Sequence, residues 1–149
     1  MFAEARVARR RPTTKCTDMG RRSYDLGHSP KSTRKPLERV LCIEDEEDIQ
    51  RIVQIALERF GSLFVRICDD SRLAFKAAAD FKPDLILLDV MMPGLDGRVL
   101  FKQCRTRPET AQIPVVFLTA LVGAAGIITK PFRPADLTGQ LQQIWKSLA

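Results

Sequence analysis

The chain has 149 residues, 45% hydrophobic and 28% charged, a globular mix that excludes fibrous and wholly disordered classes and suits one domain, with or without a tail. Its net charge of +6 is concentrated at one end: residues 1–36 carry ten Lys or Arg against Glu4, Asp18 and Asp25, a net of +7, and the remaining residues come to −1. Charges interrupt every apolar stretch before the roughly 18 residues a membrane span needs, and no apolar segment of signal-peptide type follows the basic start.

The first segment, 1–36, holds three of the nine prolines and the runs Arg9-Arg10-Arg11 and Arg21-Arg22. It has few large apolar residues and no sustained period of 3.6 or 2. It cannot bury enough surface to offset its chain entropy and reads as disordered. Three roles stay open for it: an upstream extension without a role of its own, an arm for nucleic acid or another anionic surface, and an Arg-rich transit peptide. Glu4 counts against the last. Phe2 and Tyr24 are its only aromatic residues, which leaves nucleic acid outside the expected partners.

From Leu37 to the end, 37–149, short apolar runs alternate with amphipathic stretches. Val40-Leu41-Cys42-Ile43 predicts a first strand. Ile49, Ile52, Val53, Ala56, Leu57 and Phe60 recur at helical spacing, with Gly61 as the cap. Leu63 to Cys68 predicts a second strand; Ala74, Ala77, Ala78 and Phe81 predict a helix ended by Pro83. Leu85-Ile86-Leu87-Leu88 is the third strand, followed by a Pro93-Gly94 turn whose Gly suits a positive φ, and by a helix from about Arg98 to Arg105. Val115 to Leu118 and the brief Ile127-Ile128-Thr129 give two more strands, and Leu137, Leu141, Ile144 and Leu148 mark a last helix. Continuous runs of this kind read as strands buried on both faces of a parallel sheet, hence a doubly wound α/β fold.

In such sheets ligands bind beyond the carboxyl ends of the strands, where strand order reverses. Glu44 and Asp45 follow the first run, Asp89 the third, Thr119 the fourth and Lys130 the fifth. Singly, each has a plainer role: an acidic first turn that complements a helix dipole, a loop residue before a turn, a cap, a surface charge. Asp69-Asp70, after the second run, reads as a solvated helix start. Jointly, three carboxylates, a hydroxyl and an ammonium converge on one edge. Clustered acids repel and call for a cation, and hard oxygen donors favour Mg²⁺. A central carboxylate can act as a nucleophile toward phosphorus, with lysine and metal neutralising the transferring group.

The segments "VLCIEDEEDI", "DLILLDVMMPGLDG", "VVFLTA" and "GIITKPF" resemble the receiver domain of two-component response regulators, from about Arg39 onward. The resemblance implies a flavodoxin-like five-stranded sheet of order 2-1-3-4-5. It also implies that Asp89 accepts phosphate from a histidine kinase or a histidine phosphotransfer protein. Asp45, Asp89 and the backbone carbonyl of Met91 would bind Mg²⁺, with Glu44 helping directly or through water. Thr119 would sense the phosphoryl group, Lys130 would pair with it, and the Lys130–Pro131 bond would be cis. The domain would catalyse only its own phosphorylation and dephosphorylation, and would signal to a downstream protein. Cys16, Cys42, Cys68 and Cys104 lie far apart without a CxxC pair, which argues against zinc or a disulfide framework and fits a cytoplasmic protein.

The sequence departs from the family pattern at three places. Glu44 stands where the family often has Asp, and Ile127 where it usually has an aromatic switch residue. The stretch from Thr119 to Lys130 is about half the usual length. Eight residues, 119–126, join the fourth run to the fifth, too few for a full crossover helix, so a missing or truncated fourth helix is expected. Its loss would uncover apolar sheet surface under Leu118 and Ile128, or leave it to another chain or the tail. No output domain is expected after Lys146. The alternative function is a degenerate receiver that binds partners irrespective of phosphorylation.

Overall fold

The computed structural model describes residues 35–119 and 127–148. All of the predicted tail 1–36 except Lys35 and Pro36, and the connection across 120–126 with its expected missing or truncated helix, lie outside the described residues. Five apolar runs form five strands: β1 (Arg39–Ile43), β2 (Phe64–Cys68), β3 (Leu85–Asp89), β4 (Val115–Thr119) and β5 (Ile127–Thr129). All pair in parallel in the order 2-1-3-4-5. The order reverses between β1 and β3, because β2 pairs on one side of β1 and β3 on the other.

Burial follows position in the sheet. Central β3 is buried at all five residues. β2 is an edge strand, and Phe64 and Arg66 are exposed, Phe64 to 70%. Burial on both faces therefore fails for β2 and, at the opposite edge, for β5, where Thr129 is exposed; among the described residues each is paired on one side only and alternates as an edge strand does.

Among the described residues four α-helices cover the sheet: α1 (Glu47–Ile55), α2 (Ala74–Phe81), α3 (Gly97–Thr106) and α4 (Pro134–Ser147). Their ends are set locally. Asp96 caps α3 by accepting from the Arg98 N–H at 2.8 Å, and Pro134 opens α4, where a missing N–H costs nothing. Asp70 caps a short 3₁₀ turn before α2, and Lys82 closes that helix in the left-handed region at φ 51°, just ahead of Pro83. Gly94 takes the positive φ expected of it, 81°.

The first helix departs from simple periodicity. After Ile55 it widens into a π-helical turn, Ala56–Phe60, where an extra residue per turn rotates the register. Phe60 is thrown off the buried face and is 61% exposed. Thr138 on α4 donates to the Ala56 carbonyl at 2.8 Å. Gly61 does end this helix, but at φ −100°; a Cβ there would lie 2.7 Å from the Leu57 carbonyl oxygen. Its glycine answers to close packing and not to a left-handed cap.

Period-2 alternation sorts the strand residues into two cores. On one face Val40, Cys42, Leu85, Leu87, Val116, Leu118 and Ile128 pack with α1 and α4 residues. On the other Leu41, Ile43, Ile86 and Leu88 pack with α2 and α3 residues, with Phe117 against them. The expected exposure under Leu118 and Ile128 is therefore incorrect. Both are essentially inaccessible, 0% and 1% exposed, in the α1/α4 core. By register, the half-buried pair Phe117 and Ile127 occupies the opposite face.

One polar residue ties the start of β1 to β3. Asp84 Oδ2 accepts the backbone N–H groups of Glu38 and Arg39 at 3.1 and 2.9 Å, and Oδ1 pairs with Lys35 at 2.5 Å. Trp145 adds an indole N–H to the Lys35 carbonyl at 3.2 Å. Burial alone would raise the Asp84 carboxyl, but Lys35 and the two N–H groups outweigh it and hold it below the usual range. The stability it contributes is present above its unfolded value and lost as pH falls through the lower folded one. Asp84→Ala should cost about 1–3 kcal/mol at neutral pH by orphaning two N–H groups. In denaturant titrations the deficit relative to the parent should shrink on acidification below pH about 4.

Candidate functional site

The strand register places the site. β3 carries Asp89 as its last residue, opposite Leu118 of β4, and the Val90 N–H bonds to the Leu118 carbonyl at 3.2 Å. Thr119 ends β4, pairs by register with Thr129, and its carbonyl accepts the Lys130 N–H at 2.8 Å. The Glu44 N–H bonds to the Cys68 carbonyl at 3.1 Å as the chain leaves β1. Residues from four strand ends thus arrive at one edge.

Glu44, Asp45 and Asp89 each offer a carboxylate oxygen, and these atoms lie within 4.8 Å of one another. Glu44 and Asp89 are buried, whereas Asp45 is exposed. Lys130 enters after β5 through a cis Lys130–Pro131 bond, as the resemblance implies. Its Nζ lies 2.6 Å from Glu44 Oε2 and 3.4 Å from Asp89 Oδ2. The Met91 N–H donates to Asp89 Oδ1 at 3.1 Å, while the Met91 side chain is 70% exposed beside the cluster. Thr119 is buried at the same edge, 1% exposed.

Burial pushes the Glu44 carboxyl up, and the hydrogen bond and charge of Lys130 only partly oppose this. Burial would lower the Lys130 ammonium, but Glu44, helped by Asp89, more than compensates and raises it. Lys130 is thus held charged between two acids. Three carboxylates against one ammonium leave the cluster short of positive charge, and its hard oxygen donors fit a small divalent cation such as Mg²⁺. Asp70 is not one of the three clustered carboxylates: it pairs with Arg72 at 2.7 Å, as the first residues of a solvated turn would.

Two supporting residues escape a reading by strand ends. Gln50 on α1 donates to the Glu44 carbonyl at 2.7 Å. Gly97, the first residue of α3, lies against the backbone of the acceptor strand: a Cβ there would sit 2.1 Å from the Asp89 carbonyl oxygen. A glycine just inside a helix start is the available signal, since lacking a Cβ it permits the close backbone approach that any other residue would block.

Comparison with known proteins agrees with this geometry. Residues 40–142 match the family described as response regulator receiver domain. The phosphate regulon transcriptional regulatory protein PhoB of Pseudomonas aeruginosa is 34% identical over 116 residues, 70% of this chain and 50% of that protein. The alkaline phosphatase synthesis transcriptional regulatory protein PhoP of Bacillus subtilis is 37% identical over 117 residues, 71% of this chain and 48% of that one. The chain thus spans about half the length of the curated relatives it matches. Among solved structures, the chemotaxis response regulator CheY4 of Vibrio cholerae aligns with TM-score 0.66 and 28% identity, over 73% of this chain and 99% of that one. The receiver domain of a Syntrophus aciditrophicus signal transduction histidine kinase gives 0.64 and 27%, over 74% and 92%. With the 2-1-3-4-5 sheet and the acids, hydroxyl and lysine at its carboxyl edge, these matches show that the chain belongs to the response regulator receiver domain family.

Proposed function

We propose that this receiver domain accepts a phosphoryl group on Asp89 from a phosphohistidine of a histidine kinase or phosphotransfer protein. The observation that carries the reading is the placement of Lys130 Nζ within 3.4 Å of Asp89 Oδ2, with two further carboxylates beside it. Asp89 attacks phosphorus, a P–O bond forms as the P–N bond breaks, and the electron pair stays with the imidazole nitrogen. Lys130 supplies positive charge to the phosphoryl oxygens, and Thr119 a hydroxyl donor. Asp45, Asp89 and the Met91 carbonyl would hold Mg²⁺, with Glu44 direct or through water. When bound, the ion neutralises charge on the transferring group. Catalysis of this step stays within the domain, which then signals to a downstream protein.

Cytoplasmic residence is part of the proposal; Cys42, Cys68 and Cys104 are free and buried, and no described helix is long and apolar enough to cross a membrane. Incubation with a small-molecule phosphodonor should add one phosphoryl group to the intact mass, and chelation of Mg²⁺ should prevent it. An unchanged mass favours a second reading, phosphorylation-independent partner binding, to which Ile127 also points: the family's aromatic switch position is here a half-buried aliphatic. Residues 1–36 are proposed as a basic segment apart from the phosphorylation machinery. A chain beginning at Lys35 keeps the Asp84 and Trp145 contacts and should take up phosphate at the parent's rate.

A further inference from the structure

The sheet is open along β2. The Phe64 N–H donates to the Glu38 carbonyl at 2.8 Å, and the Cys68 carbonyl accepts the Glu44 N–H at 3.1 Å. Residues 64, 66 and 68 therefore turn their backbone groups toward β1, and by alternation Val65 and Ile67 turn theirs outward. Among the described residues no strand pairs with them there, since β2 stands first in the sheet order. The usual devices that blunt an edge are missing: the register with β1 is unbroken, and Phe64-Val65-Arg66-Ile67-Cys68 holds no proline or lysine. Its one charge does not guard the edge, because the Arg66 guanidinium lies over the Phe81 ring, 4.8 Å from the centroid. Phe64, two residues away on the same face, is 70% exposed. At the other edge, β5 offers only three residues.

We propose that β2 is a self-association edge: two copies of this chain join their β2 strands antiparallel, about a two-fold axis at Val65, into one continuous sheet. The register follows from the side chains. Centred on Val65, the two copies of that residue exchange both backbone bonds, and the Ile67 N–H donates to the Leu63 carbonyl of the second copy. Leu63 enters as an acceptor alone, because its own N–H is spent on the Leu57 carbonyl at 3.0 Å. Phe64 then faces Arg66 of the second copy, twice, on the face where Arg66 already stacks on Phe81, so each guanidinium comes between two rings. Centred on Arg66 instead, the strands would set two guanidinium groups directly opposite, a destabilising pairing of like charges. Centred on Ile67, Phe64 would fall opposite Asp70, outside the strand. This match of cation and ring within one short strand is what favours a second copy as the occupant. The proposal goes beyond the phosphoryl chemistry and uses no residue of that site.

Sedimentation velocity of the full chain, from low micromolar to near-millimolar, reads the association, and hydrogen exchange reads the edge. The chain should pass from monomer to dimer with concentration, and the Val65 and Ile67 amides should gain protection in step. Val65→Pro removes an N–H that β1 does not use and should weaken association by about tenfold or more. Phe64→Arg sets like charges opposite one another and should weaken it as well, whereas Phe64→Glu meets Arg66 with the opposite charge and should retain it. Phe64 is exposed, so these two variants decide the matter should Val65→Pro fail to fold. A chain that stays monomeric across the range overturns the proposal, as does a dimer indifferent to both Val65→Pro and Phe64→Arg. Equal loss with Phe64→Arg and Phe64→Glu overturns the pairing centred on Val65. Full protection of Val65 and Ile67 at every concentration, without a dimer, would mean that a segment of the chain itself fills the edge, and overturns it too.

Discussion

Asp89→Asn should abolish phosphoryl uptake while leaving the fold in place. The amide is not a nucleophile toward phosphorus, and no acyl phosphate can form on it. Its oxygen can still accept the Met91 N–H that Asp89 Oδ1 accepts at 3.1 Å, so the strand end keeps its turn. Lys130 keeps its closer partner, Glu44, at 2.6 Å, and is not left as an uncompensated buried charge. The expected result is therefore an all-or-none loss in intact mass, with a denaturation midpoint near the parent's. Phosphate gained at the parent's rate would move the acceptor elsewhere, with exposed Asp45 the next carboxylate to examine.

That such a variant can be named from one sequence reflects where the information lies. Strand ends are readable because apolar runs stop abruptly at Glu44, Asp89, Thr119 and Lys130, and parallel register then brings the stops to one edge. Facing is harder to read. Leu118 and Ile128 read as surface left uncovered by a missing fourth helix, yet the sheet turns them toward α1 and α4, because a one-residue change in parity exchanges the faces. Phe60 fits a 3.6 period on paper, and the π-helical turn removes it from the buried face without any Gly or Pro to announce the change. Asp84 and Trp145 act across long sequence separations, Asp84 on Glu38 and Arg39, Trp145 on Lys35, and pairings of that kind leave no local pattern. The Lys130 contact to Glu44 belongs to the same class: strand ends predict the meeting, but only the side-chain lengths decide which acid is nearer.

Gly97→Ala should weaken both the fold and the chemistry through the backbone of Asp89. The added Cβ would lie 2.1 Å from the Asp89 carbonyl oxygen, 2.9 Å from Val90 Cα and 3.0 Å from the Asp89 carbonyl carbon. All three are backbone atoms, so no flexible side chain can give way. The gain in helix propensity over glycine, roughly 1 kcal/mol, is small beside this clash. Either α3 retreats, breaking the Gly97 N–H bond to the Val90 carbonyl at 3.1 Å, or the end of β3 moves. Overpacking of this kind costs about 1–3 kcal/mol, read as a lower denaturation midpoint. The effect on phosphoryl uptake should be larger in proportion. A displacement of about 1 Å at a reacting group can cost about 100-fold in rate, and Asp89 must keep its place relative to Lys130. Uptake measured well below the unfolding transition separates the two effects. A folded Gly97→Ala chain that gains phosphate at the parent's rate would show that the acceptor tolerates a shift of its own strand end.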